Sequence, residues 1–142
     1  MAASQRSAVD PFYVMEVAKA AAARQASHGD VIPLFVGQPA TPAPAVVREA
    51  AARAVVEDVL GYTVTNGIPE LRTAIAREYR RRYDVDVDPA EVVITTGSSG
   101  GFLLAALAAF DAGDQVAMTR PGYPAYRNTL RSLGVDVVAL DA

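Results

Sequence analysis

The stretch of residues 92–140, VVITTGSSGGFLLAALAAFDAGDQVAMTRPGYPAYRNTLRSLGVDVVAL, alternates short strand-like runs with helix-forming runs. Three mostly apolar runs are predicted as strands: Val92–Thr95, Gln115–Met118 and Val135–Leu140. The runs between them, Phe102–Phe110 and Ala125–Leu133, are predicted as helices, and Gly97–Gly101 is predicted as a turn. Because consecutive strand–helix–strand units are right-handed with parallel strands, the predicted fold class is α/β, with a parallel sheet covered on both faces.

The first half of the chain is predicted to be mainly helical. Asp10 and Pro11 have the order expected of an N-cap and the first helical position, so a helix is predicted over Phe12–Ala26. Gly29 suits the position just beyond its end. Two further helices are predicted, over about 45–58 and from Pro69 onward, separated by a loop at Leu60–Ile68. The arginines within Arg77–Arg82 indicate a solvated helix face.

The composition excludes several classes of function. The chain has 142 residues, of which 51% are apolar and 20% charged, as expected of one globular domain or part of one. A net charge of −3 provides no basic surface for nucleic acid or for a membrane. The absence of cysteine and the single histidine, His28, exclude cysteine-ligated and histidine-rich metal sites. No signal peptide or membrane-spanning run is recognisable, so a cytoplasmic location is predicted.

The sequence TTGSSGG at residues 95–101 lies between a predicted strand and a predicted helix. Small residues at a helix start leave backbone N–H groups free to bind a phosphate, and Ser98 and Ser99 add hydroxyl donors. The spacing matches neither the GxGxxG dinucleotide pattern nor the P-loop. An ordinary turn whose serine caps the helix is the alternative that these residues leave open.

Three other residues are candidates for ligand contacts, each with an ordinary structural alternative. Tyr123, in RPGYPAY at 120–126, follows the second predicted strand, at the sheet edge where α/β proteins bind ligands. Gly37, in FVGQP, allows close approach of a ligand to the backbone. Tyr62 is an aromatic residue within the predicted loop. The alternatives are a packing tyrosine, a turn glycine and a surface tyrosine.

In this order, the four motifs resemble the pyridoxal-phosphate-dependent aminotransferases of classes I and II, the fold type I group. The resemblance covers about 9–140 and corresponds to the amino-terminal third of the usual family chain. It rests on Tyr-x(4)-Gly-Ile-Pro-Glu-Leu-Arg from Tyr62, the Thr-x-Gly turn, Ala-Gly-Asp-x-Val at 112–116 and Pro-x-Tyr-Pro-x-Tyr at 121–126. It implies an N-terminal helical segment of the small domain over 1–44. Residues 45–142 are then the first part of a three-layer α/β/α cofactor-binding large domain.

The resemblance also implies roles for the candidate residues. The turn of Gly97, Ser98 and Ser99 would hold the phosphate of pyridoxal 5′-phosphate, and Tyr123 would stack on its pyridine ring. Gly37 would lie beside the substrate carboxylate. The tyrosine in the loop, at position 62, would reach the cofactor phosphate of a neighbouring subunit, which implies a homodimer. The implied reaction is transfer of an amino group between an amino acid and a 2-oxo acid.

Lys19 is the only lysine of the chain. It lies three residues after Glu16 on the first predicted helix, the spacing of a surface ion pair, so it is a poor candidate for the Schiff-base lysine. In the family that lysine lies beyond the position of Ala142, as does the arginine that binds the substrate carboxylate. No catalytic residue is therefore predicted here, and the 142-residue chain alone is expected to be inactive.

Three alternatives compete with transamination. A lyase or synthase of the same fold, such as an aminocyclopropanecarboxylate-synthase-like enzyme, would share these motifs. A non-catalytic module that binds a phosphate-bearing ligand would require a chain that ends at Ala142 and leaves an apolar strand uncovered. A transcription regulator with an aminotransferase-like domain would need a DNA-binding domain before Val9.

Overall fold

The computed structural model describes residues 3–142, except for the side chain of Gln5. The main elements are listed here in chain order: α1 (Tyr13–His28), α2 (Ala45–Glu57), α3 (Pro69–Tyr83), α4 (Gly97–Ala109), β1 (Gln115–Arg120), α5 (Pro124–Ser132) and β2 (Asp136–Asp141). Short 3₁₀ turns lie at Gln5–Ser7 and Pro89–Glu91. The chain forms two compact units, one joining the residues up to Phe35 with Thr95–Ala142, the other formed by Val36–Ile94.

The sheet of the first unit is parallel, as predicted. β1 pairs with β2 in a register that runs from Gln115 opposite Asp136 to Arg120 opposite Asp141. α4 and α5 pack on the face that carries Val116. The core consists of buried Ala106, Leu130 and Val135 with half-buried Phe102, Val116, Met118, Leu133 and Val137 around them.

The described residues cover one face of this sheet rather than two. α4, which precedes β1, and α5, which connects β1 to β2, both lie on the side of the sheet that carries Val116. On the opposite face, Val138 and Leu140 are exposed. This part of the first unit thus supplies two adjacent layers, the sheet and the helices α4 and α5.

The strand predicted at Val92–Thr95 is wrong for the structure described. The backbone there is extended at Val92, with φ −83° and ψ 125°, but no ladder partner lies beside it among residues 3–142. The Ile94 N–H donates instead to the carbonyl of Asn66 at 3.0 Å. A strand is defined by hydrogen bonds to a neighbour, and β-branched composition alone does not provide that neighbour.

Helix α4 begins at Gly97, five residues before the predicted start at Phe102. The sequence of small residues is typical of a turn, because glycine and serine have low helix propensity. In the structure those residues form the first helical turn, since packing of Phe102 and Ala106 against the core stabilises the helix to which they belong. The predicted turn is therefore corrected to a helix N-terminus.

Helix α1 begins one residue later than predicted and without the predicted cap. Its N-cap is Phe12, with no side-chain capping bond, and Asp10 instead contacts α5. Gly29 is confirmed beyond the C-terminal end: it has φ +70°, and its N–H donates to the Gln25 carbonyl at 3.0 Å. The predicted start of the third helix at Pro69 is also confirmed.

The unit Val36–Ile94 contains α2 and α3. Ala76 is the residue of α3 that is buried, and α3 packs against the 3₁₀ turn Pro89–Glu91. The carboxylate of Asp88 caps that turn by accepting a hydrogen bond from the Ala90 N–H at 2.8 Å. Within residues 3–142, no helix is sufficiently long and apolar to cross a bilayer.

Candidate functional site

The start of α4 is shaped by the two threonines before it. Thr96 has φ −73° and ψ 72°, the geometry of an inverse γ-turn, and the Gly97 N–H donates to the Thr95 carbonyl at 2.8 Å. The Thr95 hydroxyl donates to the Gly97 carbonyl, also at 2.8 Å. Gly97 itself has φ +74°, a backbone region open to glycine. These bonds fix the direction in which the helix begins.

Ser98 and Ser99 follow in the first turn of α4, and both are exposed. Neither hydroxyl forms a hydrogen bond with another residue of the described chain. The first N–H groups of a helix have no intrahelical acceptor, and the amide of Gly97 is already occupied. Two serine amides and two serine hydroxyls at the positive end of a helix are a donor set that fits a phosphate.

Tyr123 is the N-cap of α5 and lies in a chain of aromatic contacts. Its ring is perpendicular to that of Phe12, with centroids 6.0 Å apart, and nearly perpendicular to that of Tyr126, at 5.2 Å. Tyr126 in turn stacks on Phe102 of α4 at 4.3 Å. The stack joins the first turn of α5 to Phe102 of α4, the helix whose first turn carries Ser98 and Ser99. Tyr123 remains 52% exposed.

A cavity of about 180 Å³ lies beside Tyr123 at the C-terminal end of β1. Its walls include Met118, Pro121 and Arg127. The Nε of Arg127 is buried and has no hydrogen-bond partner among the described residues. A buried guanidinium N–H without a partner, next to an exposed aromatic ring, favours an anionic or polar ligand group.

Arg127 did not emerge from the sequence as a candidate. An arginine inside an amphipathic helix is ordinarily a surface residue, because its long side chain reaches water easily. The available signal was its spacing: Arg127 lies four residues, about one helical turn, after Tyr123 at the ligand-binding edge of the sheet.

Gly37 and Tyr62 belong to the unit Val36–Ile94. Gly37 is exposed, has no positive φ, and a Cβ built on it would meet no atom within 4 Å. Tyr62 is fully exposed at 110% of its reference area. Packing within the described chain therefore explains neither the glycine nor the tyrosine.

Comparisons with known proteins agree on the class of protein. The family described as aminotransferase class I and II matches residues 29–141. The valine–pyruvate aminotransferase of Mycobacterium tuberculosis is 61% identical over 135 residues, which are 95% of this chain and 35% of that protein. The glutamate–pyruvate aminotransferase of Escherichia coli is 41% identical over 120 residues, which are 80% and 28% of the two chains.

A solved aminotransferase structure also resembles this chain closely in fold. The crystal structure of an aminotransferase from Mycobacterium tuberculosis has a TM-score of 0.95 and 58% identity, covering all of this chain and 37% of that one. The chain thus spans about a third of the length of the relatives it matches. The fold class and the family predicted from the four motifs are confirmed. Because the family matches residues 29–141 and the solved structure shares the fold along the whole of this chain, the chain belongs to the class I and II aminotransferases.

Proposed function

We propose that this chain is the amino-terminal part of a longer, pyridoxal-phosphate-dependent enzyme that transfers an amino group from an amino acid to a 2-oxo acid. Dependence on pyridoxal phosphate is a general property that the family implies. The observation that carries the proposal for this chain is the donor set of Ser98 and Ser99 at the start of α4, the same helix that the aromatic chain of Tyr123 contacts at Phe102. We further propose residues 1–44 as part of a small domain, 45–142 as the first part of the large domain, and a cytoplasmic location.

In this proposal, the helix α4 start binds the phosphate and Tyr123 orients the ring. The amides and hydroxyls of Ser98 and Ser99 donate to phosphate oxygens, and Gly97 sets the direction of the helix that presents them. Tyr123 stacks on the pyridine ring through the exposed part of its side chain. Pyridoxal phosphate, when bound, withdraws electrons from the substrate Cα and thereby eases loss of its proton. The residues of this chain bind the cofactor phosphate and orient the pyridine ring.

The proposal is tested by cofactor binding to the full-length protein. Replacing both Ser98 and Ser99 by alanine removes two hydrogen bonds to a charged group, so we expect the Kd for pyridoxal phosphate to rise at least tenfold. Tyr123→Ala removes the stacking ring and is expected to raise the Kd about threefold to tenfold, whereas Tyr123→Phe retains it. The matched control is Ser132→Ala on α5, which removes a serine hydroxyl that donates a hydrogen bond to the Thr129 backbone carbonyl. Equal affinities in all variants would contradict the proposed site.

Substrates are proposed from the relatives. Valine and pyruvate are the first pair to assay, because the valine–pyruvate aminotransferase is 61% identical over almost all of this chain. Formation of alanine together with the 2-oxo acid of valine is the expected result. Release of ammonia or a cyclised product instead would favour the lyase or synthase alternative.

Tyr62 is proposed to act across a homodimer. Its full exposure leaves the hydroxyl free to reach a phosphate held by another subunit. Mixed dimers provide the test: one subunit carries Tyr62→Ala and the other carries the double alanine change at Ser98 and Ser99. If Tyr62 acts in trans, both lesions fall in one of the two sites and the other site is intact, so mixing restores activity. If Tyr62 acts in cis, each site keeps one lesion and mixing restores nothing.

A further inference from the structure

The segment Ser4–Phe12, here called the N-terminal strap, lies along α5. The Asp10 carboxylate pairs with the Arg131 guanidinium, with Oδ2 and Nη1 2.8 Å apart. The Asn128 side-chain amide donates to the Asp10 backbone carbonyl at 2.9 Å. Asn128 and Arg131 are three residues apart and therefore share one face of the helix. Both side chain and backbone of Asp10 are thus held by α5.

The strap ends at a residue that contacts the proposed cofactor platform. Phe12 is half-buried, and its ring lies perpendicular to that of Tyr123 with centroids 6.0 Å apart. Tyr126 contacts Tyr123 as a second, nearly perpendicular neighbour. The orientation of the Tyr123 ring is therefore set by two rings, one from its own helix and one from a segment more than 100 positions earlier in the chain.

The anchor at Asp10 depends on several contacts together. The side chains of Arg131 and Asp10 are 44% and 50% exposed, and an ion pair of that exposure contributes little stability by itself. The hydrogen bond from Asn128 to a backbone carbonyl adds a contact that does not depend on the Asp10 side chain. The edge contact of Phe12 adds an aromatic pair two residues further along. Loss of one contact is expected to loosen the strap without unfolding the unit.

We propose that Phe12, anchored through Asp10 to α5, is a positioning residue that fixes the angle of the Tyr123 ring for stacking on pyridoxal phosphate. The inference rests on the proposed function and deepens it, because it assigns to the N-terminal strap a part in cofactor binding. Phe12 acts on the cofactor through Tyr123 and makes no contact of its own with it.

The test compares cofactor binding in variants of the full-length protein by equilibrium dialysis and by the near-ultraviolet circular dichroism of the bound cofactor. Phe12→Ala is expected to raise the Kd for pyridoxal phosphate about threefold to tenfold and to change the dichroism band, because the ring angle is no longer fixed. Phe12→Tyr keeps the ring and should restore both values. Tyr13→Ala is the matched control, since Tyr13 is the next aromatic residue along the chain and is 61% exposed.

The outcomes separate this inference from the proposed function. If Tyr123→Ala weakens binding while Phe12→Ala and Tyr13→Ala both leave the Kd and the dichroism unchanged, the positioning role is wrong and the stacking site stands. If Tyr123→Ala itself leaves the Kd unchanged, the stacking site and the positioning role both fall. A purely structural role of Phe12 would lower the melting temperature of the cofactor-free protein and leave the dichroism band unaltered, which would also overturn the inference.

The anchor is tested by reversing its charges. Arg131→Asp places two carboxylates together and should raise the Kd in the same direction as Phe12→Ala but by less, because the Asn128 bond to the backbone remains. Combining it with Asp10→Arg restores opposite charges on the same two positions, with the Asn128 bond to the backbone left in place. Recovery of affinity in the double variant supports the anchor. A double variant as weak as the single one would show that the ion pair does not hold the strap.

Discussion

Among the glycines of the unit Val36–Ile94, Gly67 has the least room for an added side chain. It has φ +95°, and a Cβ built on it would lie 2.3 Å from Cγ1 of Ile94 and 2.7 Å from its Cβ. We expect Gly67→Ala to lower the free energy of unfolding by about 2 kcal/mol or more, because it combines backbone strain with a clash against a β-branched side chain. Urea unfolding measures the change.

The control for Gly67 is Gly113→Ala. Gly113 has φ +97°, and a Cβ there would meet no atom within 4 Å, so the substitution introduces the backbone strain alone. We expect the loss at Gly113 to be about 1–2 kcal/mol and smaller than that at Gly67. Equal losses at the two positions would show that contact with Ile94 adds nothing.

Gly37 is expected to behave in the opposite way. Since it has ordinary backbone angles and open space around its Cα, Gly37→Ala should leave the free energy of unfolding within about 0.5 kcal/mol of its original value. If Gly37 lies beside the substrate carboxylate, as the resemblance to the aminotransferases implies, the same change should raise the KM for the amino donor in the full-length enzyme. An unchanged KM would remove Gly37 from the proposed site.

Single residues also show the limit of what the sequence predicts. Tyr123 is a candidate ligand contact because it follows a predicted strand, which is a local signal. In the structure it is the N-cap residue of α5. Asp10 was predicted to cap α1, because Asp-Pro is a local signal as well. Its actual partner, Arg131, is 121 positions away. One sequence contains no pattern that links two such positions.

At the scale of a helix, α3 ends in a cluster of charges whose small contribution to stability depends on pH. Arg81 donates to both carboxylate oxygens of Glu78, at 2.7 and 2.8 Å, and Arg82 lies 3.0 Å from one of them. The hydrogen bond from Arg81 holds the pKa of the Glu78 carboxyl below its usual range. All three side chains are well exposed, so the effect on stability is small.

The direction of the pH dependence follows from the sign of that pKa shift. A carboxyl whose pKa is lowered by folding stabilises the protein above its usual pKa, and the contribution disappears as the pH falls through the lowered value. Glu78→Gln should therefore reduce the urea midpoint slightly at pH 7, with a difference that vanishes in strong acid. Glu49→Gln, which also removes one carboxylate from an exposed helical position, on α2, is the control. A difference that grows in acid would contradict the ion pair.

The elements were predicted best where the signal is local. Proline at the first helical position marked α3, and glycine beyond the last turn marked the end of α1. The predicted strand at Val92–Thr95 failed because a strand needs a neighbour, and composition does not indicate whether one is present. The start of α4 was misplaced because packing of Phe102 outweighs the low helix propensity of the residues before it.

At the scale of the whole molecule, the 142 residues alone are expected to lack transaminase activity. Lys19 is the only lysine of the 142 residues. It lies on α1 three residues after Glu16, which is the spacing of a surface ion pair. Incubation of the chain with pyridoxal phosphate, valine and pyruvate should yield no alanine above the rate of free cofactor. Lys19→Ala should give the same result. Steady turnover that Lys19→Ala abolishes would assign the catalytic lysine to this chain.

The long separation between Asp10 and Arg131 has a consequence for how the protein is made. Chains leave the ribosome at about 5–20 residues per second, so Arg131 is synthesised roughly 6–24 s after Asp10. During most of that interval Phe12 has no Tyr123 to pack against. The residues of α1 are made before those of α5, the helix to which Asp10 binds. The aromatic platform is therefore assembled only after residue 131 has been made, when the segment around Asp10 docks onto a helix synthesised seconds later.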